Sequence, residues 1–190
     1  RDPEMSRGLG DVYKRQVMAA FAAAVKIDSF AYMPAQEFSN SFSLFTSQNS
    51  GAGDKKRVRE GVRTSVKLSI SFCLVVSVLI FLFAEYLMMI FVHPEETEII
   101  RIGVEYLRIE GSFYCGIGLL FLFYAYYRGI GKPEMSVVLT VISLGTRVAL
   151  SYALAPILGV RVIWWSIPIG WALADLTGGV YMKKLVKKSK

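Results

Sequence analysis

Four stretches of this sequence are too long and too apolar to be the surface elements of a soluble domain. Residues 66–92 carry only Lys67 and Glu85, residues 111–127 carry no charge, residues 135–160 carry only Arg147, and residues 162–182 carry only Asp175. A helix rises ~1.5 Å per residue, so about 20 apolar residues cross a hydrocarbon core of about 30 Å. Each stretch is about that long or longer. The expected fold is therefore an all-α integral membrane protein. A hydrophobic fraction of 54% and a mean hydropathy of +0.44 over 190 residues agree with that reading.

The opening residues differ from the rest. Residues 1–16 (RDPEMSRGLGDVYKRQ) are polar, lack periodicity and meet an apolar helix abruptly at Val17. The run Asp11-Val12-Tyr13-Lys14-Arg15-Gln16 reads as one frame of a transposon end used in shotgun libraries. This predicts a translated sequencing adapter, with the natural chain continuing upstream of Val17. After it, five membrane helices are expected, at about 17–47, 66–92, 99–127, 135–158 and 162–182, with 183–190 as a basic tail. Pro34 is expected to kink the first. Gly51-Ala52-Gly53, His93-Pro94, Gly129-Ile130-Gly131-Lys132-Pro133 and Pro156 with Gly159 punctuate the connections.

Cations set the orientation. Lys55, Lys56, Arg57, Arg59, Arg63, Lys67, Arg128, Lys132 and the tail lysines 183, 184, 187, 188 and 190 all fall on one side of a five-helix arrangement. The other side has Arg101 and Arg161 beside Glu95, Glu96, Glu98 and Glu105, a split of 13 to 2. The positive-inside rule puts the cation-rich side and the C-terminus in the cytoplasm of a multi-pass plasma-membrane protein. The net charge of +7 is then a topology signal with lipid as its partner, and implies no nucleic acid.

Ionisable residues within the helices are costly and mark candidate sites. Rise per residue predicts an outer layer of Lys26, Asp28, Arg108 and Glu110, about 25 to 31 Å from the cation-rich ends. An inner layer follows with Glu37, Arg147 and Asp175 at roughly 15, 18 and 10 Å. The outer layer is formally neutral, as structural ion pairs would be. In the inner layer Arg147 is expected to pair with Glu37 or Asp175, leaving one acid to take up a proton or cation. Gln36, Ser39, Asn40, Ser41 and Ser43 surround Glu37, a polarity suited to a helix lining a water-accessible cavity. Phe121, Phe123, Tyr124, Tyr126 and Tyr127 read as lipid-facing or interfacial packing, and Trp164 and Trp165 as an outer aromatic belt. Cys73 and Cys115 read as small hydrophobes, and the single His93 as a loop residue. With no metal-ligand spacing and no nucleophile–base pair, neither metal nor enzyme chemistry is expected.

Gln48-Asn49-Ser50-Gly51-Ala52-Gly53, at the end of a polar, Pro-containing helix, resembles the Q-N-x-G-A-G signature of the multidrug and toxic compound extrusion (MATE) family. The Ala-rich stretch through Lys26-Ile27-Asp28 and Pro34, the turn Arg128-Gly129-Ile130-Gly131-Lys132-Pro133, and Ile169-Gly170-Trp171 with Ala174-Asp175 are similar to further segments of it. The resemblance implies helices eight to twelve of a twelve-helix, two-lobed antiporter that exports cationic or aromatic compounds in exchange for H+ or Na+. It implies no other cofactor, and makes the absent N-terminal half a partner. Counting back from Arg128, the position where some members hold a sodium-coordinating acid falls at Phe113 or Tyr114, neither a carboxylate. Glu110, one turn outward, is the nearest acid. Glu37, Glu110 and Asp175 are the expected coupling candidates, with Gln36, Asn40, Tyr114 and Arg147 around them. Gln48, Gly51, Gly53, Arg128, Gly129 and Gly131 are expected to be structural, Gly51 and Gly53 ending a helix in a left-handed turn. A lipid-linked-sugar flippase of the same superfamily would need an uncompensated cationic groove, whereas Lys26, Arg108 and Arg147 each have an acid at their own level. A non-catalytic membrane scaffold would need no polar lining in the first helix.

Overall fold

The computed structural model describes residues 3–188. It contains six helices among these: α1 (Pro3–Gly51), α2 (Lys55–Phe91), α3 (Thr97–Gly111), α4 (Tyr114–Gly129), α5 (Pro133–Leu158) and α6 (Arg161–Lys188). No strand occurs among the described residues.

Helix α1 is the centre of the bundle and packs on α2, α3 and α4, while α6 packs on α5 and α4. Its buried positions include Ala20, Ala24, Ile27, Ala35, Phe42 and Thr46, with Asp28 and Ser39 on the same stripe. That three-to-four spacing is one helical face, built largely of small residues. The buried face of α2 is built the same way, from Val58, Ser65, Ser69, Cys73, Ser77, Ile80, Ala84 and Met88. Small residues let backbones approach where no water is available to drive association. The glycines opposite mark the closest contacts. A Cβ at Gly118 would lie 2.6 Å from Cys73 Sγ, one at Gly129 2.9 Å from the Ser43 carbonyl of α1, and one at Gly170 2.6 Å from the Ser143 carbonyl of α5. Tyr127 ties α4 to α6 by donating to the Gly178 carbonyl at 2.6 Å.

Several expectations change. Helix α1 already includes residues 3–16 and runs through Pro34 unbroken; residues 1–2 lie outside the described residues. Helix α2 starts at Lys55, so the cations expected in a loop stand on its first turns, behind an N-cap in which Asp54 accepts from the Arg57 amide. The expected third helix is two, α3 and α4, meeting at a 54° bend across Ser112 and Phe113. The basic tail continues α6 to Lys188. Three helices (α1 from Asp11, α2 and α5) are long and apolar enough to cross a membrane, or four if the bent pair is one span. Helix α6 is equally long but falls short in composition, because Asp175, Gly178, Gly179 and three tryptophans dilute its apolar run. Gly51 remains helical, and the left-handed turns fall at Gly53 (φ 74°) and Gly131 (φ 72°). Trp164 is buried rather than interfacial, and Tyr126 and Tyr127 lie inside the bundle rather than against lipid.

Candidate functional site: a buried carboxyl cluster

The bend between α3 and α4 organises the site. Gly111 and Ser112 are weak helix formers, and the turn beyond is closed by Phe113 N–H donating to the Glu110 carbonyl at 2.9 Å. Glu110 therefore stands in the last turn of α3 and Tyr114 begins α4. Both face Asp28 of α1. The Tyr114 hydroxyl donates to Asp28 Oδ1, and Tyr106, one turn before Glu110, brings its hydroxyl within reach of both carboxyls. Asp28 is 2% and Glu110 4% exposed. Among the described residues, Asp28 Oδ2 and Glu110 Oε2 have no hydrogen-bond partner. Phe21 and Trp164 close the cluster, stacked on each other at 5.6 Å and packed edge-on against Tyr106 at 5.5 and 4.9 Å.

The expected outer layer of ion pairs is not formed. Its acids turn inward while its cations turn outward: Lys26 is exposed with its Nζ 6.0 Å from the Phe91 ring, and Arg108 is exposed over Phe81 at 5.4 Å. The reason is helical phase. Lys26 and Asp28 are two residues apart and so cannot share a face, and the same holds for Arg108 and Glu110. Lys26 and Arg108 are therefore not neutralised by an acid at their own level among the described residues.

The inner layer does not assemble either. Glu37 is exposed and accepts from Asn40 Nδ2 at 3.4 Å. Arg147 makes no ion pair among the described residues; its stem packs at Gly170, and it is close enough to Glu110 to act on it electrostatically. Asp175 stands apart at the contact of α6 with Gly116 of α4, its Oδ1 buried without a partner among the described residues. Gln36 and Asn40 meet Arg128 instead, which donates to Asn40 Oδ1 at 3.2 Å. With Tyr124 and Ser136 they line a polar cleft of about 330 Å³ between α1, α4 and α5.

Of the sequence-predicted residues, then, Glu110 and Tyr114 meet at Asp28, while Gln36, Asn40 and Arg128 meet elsewhere. Tyr106 was not foreseen. Its signal was present in the i,i+4 spacing to Glu110, which puts both on one helical face. No His/Cys/Asp/Glu group suited to a metal ion occurs among the described residues. Orphaned carboxyl oxygens next to phenol hydroxyls, shielded from water, are suited to holding a proton or a monovalent cation.

Fold and site together define a polytopic helical membrane protein with ionisable groups enclosed between its helices. Residues 9–153 match the MatE family, the match beginning inside the opening polar segment. The chain belongs to that family of multidrug and toxic compound extrusion transporters. It is 32% identical over 131 residues to the probable multidrug resistance protein YpnP of Bacillus subtilis, covering 69% of this chain and 29% of that protein. It is 28% identical to the probable multidrug resistance protein NorM of Thermotoga maritima, covering 69% of this chain and 28% of that protein. The chain thus spans less than a third of these relatives. Among solved structures, an outward-facing multidrug resistance MATE transporter of the MOP superfamily superposes with a TM-score of 0.86 at 22% identity, over 92% of this chain and 40% of that one. The MATE transporter ClbM, solved with Rb+, superposes with a TM-score of 0.78 at 26% identity, over 86% of this chain and 38% of that one.

Proposed function

We propose that this chain is the C-terminal part of a secondary antiporter that exports cationic or aromatic compounds in exchange for H+ or Na+. On this reading the Asp28–Glu110 cluster holds the coupling ion. The observation that carries it is a pair of buried carboxyls, each with one oxygen unpartnered among the described residues and with Tyr114 donating to the other oxygen of Asp28, at the break between α3 and α4. Broken helices with ionisable side chains are where membrane transporters hold ions, because a helix end offers polar groups that an intact helix keeps paired. An ion entering there changes the balance between α1 and the α3–α4 bend, which is a means of coupling its movement to a rocking of two halves. The cleft of Gln36, Asn40 and Arg128 is the polar face turned toward the substrate path. The cation-rich helix ends and the C-terminus face the cytoplasm, with the remaining helices of the longer protein and membrane lipid as partners.

The test is efflux of a cationic dye by the complete transporter in everted vesicles, with a pH or sodium gradient imposed separately. Asp28→Asn and Glu110→Gln are expected to abolish efflux under whichever gradient drives the parent protein. Full efflux in both variants would refute the site. Orientation is tested by Lys184→Cys in a background with Cys73 and Cys115 changed to Ser. Labelling by an impermeant maleimide is expected only after the cells are opened.

A further inference from the structure

The two glycine-containing motifs, Gln48 to Gly53 and Arg128 to Lys132, start 80 positions apart in sequence, and apart from Arg128 the function proposed above gives them no chemical role. They come together at the cation-rich end of the bundle. The left-handed residues Gly53 and Gly131 each close a tight turn: Asp54 N–H donates to the Asn49 carbonyl at 2.9 Å, and Lys132 N–H to the Tyr127 carbonyl at 2.8 Å. Between these turns, the start of α2 and the end of α6 lies a cleft of about 390 Å³. This is within the range of about 300–1,000 Å³ typical of small-molecule sites.

The cleft is amphiphilic. Its floor is apolar, formed by Val62 of α2, Tyr126 of α4 and Met182 and Leu185 of α6. Its rim carries Arg59 and Lys132, neither of which makes an ion pair among the described residues, and Lys55 also lines it. Among the described residues no carboxylate lines it: the nearby acids are used elsewhere, Asp54 in capping α2 and Glu60 on the opposite flank between α1 and α2. Lys183, Lys184 and Lys187 continue the cationic surface on the last turns of α6.

We infer that this cleft binds an anionic phospholipid, with the phosphate held by Arg59 and Lys132 and the first methylenes of the chains lying on Val62, Tyr126, Met182 and Leu185. A cationic rim over an apolar floor at the level of the lipid headgroups matches that one chemistry: a zwitterionic lipid gains little from the rim, and a free phosphate gains nothing from the floor. A lipid seated there would bridge the α1–α2 turn, the α4–α5 turn and α6. The two glycine turns would then be the walls of a lipid site as well as helix ends. The inference stands apart from the coupling cluster, because its readout is lipid retention and not efflux.

The experiment is lipid binding by the purified complete transporter in detergent, measured by native mass spectrometry and thermal shift with phosphatidylglycerol, phosphatidylcholine or inorganic phosphate. Phosphatidylglycerol is expected to be retained and to raise the melting temperature. Arg59→Ala with Lys132→Ala should weaken its retention about 25-fold, about fivefold per charge. Arg63→Ala with Lys67→Ala removes the same charge from α2 outside the cleft and should leave retention within about twofold. Val62→Trp fills the floor without changing charge, and should weaken phosphatidylglycerol while leaving the lipid-free melting temperature near the parent value. Equal losses in the two double variants would overturn the site in favour of general surface charge. Equal retention of phosphatidylcholine, displacement of the lipid by inorganic phosphate, or no effect of Val62→Trp would overturn the lipid assignment.

Discussion

Two polar regions of α1 are treated in opposite ways. Around Asp28 a single acid is enclosed by the α3–α4 bend, with two tyrosine hydroxyls and a second carboxyl as neighbours. Around Glu37 a dense set of polar groups lies open: Gln36, Glu37, Asn40 and Ser41 are all exposed, and their bonds are local apart from the reach of Arg128 to Asn40. The number of polar residues is thus a poor guide to energetic consequence. Polar groups on an open face keep their bonds to water or to one another. A carboxyl removed from both must take its partner from other helices, or hold an ion, and so it links α1 to the α3–α4 bend.

This contrast can be broken or sharpened in graded ways. The largest effect is expected in transport by the complete protein, where Asp28→Asn should abolish gradient-driven dye efflux while Glu37→Gln leaves it within about twofold. Equal losses would erase the distinction between the two regions. Next comes the helix contact that holds both regions in place. Gly129→Val puts carbon where Thr46 Cβ lies 2.6 Å from the added Cβ, and should cost about 3 kcal/mol, read as a lower melting temperature in detergent. A smaller loss is expected of Tyr114→Phe, which removes the donor to Asp28 and leaves a further buried oxygen unpaired, at about 1–3 kcal/mol. The smallest is Asn40→Ala, which breaks an exposed contact to Arg128 and should stay within about 0.5 kcal/mol by the same measurement. A larger effect of Asn40→Ala than of Tyr114→Phe would reverse the comparison.

Much of the architecture was legible in the chain. Apolar runs of helical length follow from composition, because the backbone in a bilayer has few ways to satisfy its own hydrogen bonds. The stops at Gly53, Gly131 and Gly159 follow from a local requirement for positive φ, which glycine meets without strain. The sequence motifs and their order carry the family for the same reason: each is a short-range pattern.

The bend at Ser112–Phe113 was not legible, since the stretch from Gly111 to Tyr127 is uninterrupted in hydropathy. Nor was the pairing of charges. Rise along a helix estimates depth, so Lys26, Asp28, Arg108 and Glu110 could be put at one level. Whether they touch depends on the rotation of each helix about its axis, and that is decided by packing. The small faces of α1 and α2, and the glycines opposite them, select the rotation that brings backbones closest. That rotation turned Asp28 and Glu110 toward each other, left Lys26 and Arg108 outside, and kept Glu37 at the surface. By itself the sequence determined the apolar runs, the glycine stops between them and the family. Which side chains meet was decided only by the tertiary structure, because meeting depends on the rotation and tilt of packed helices, which no single helix encodes.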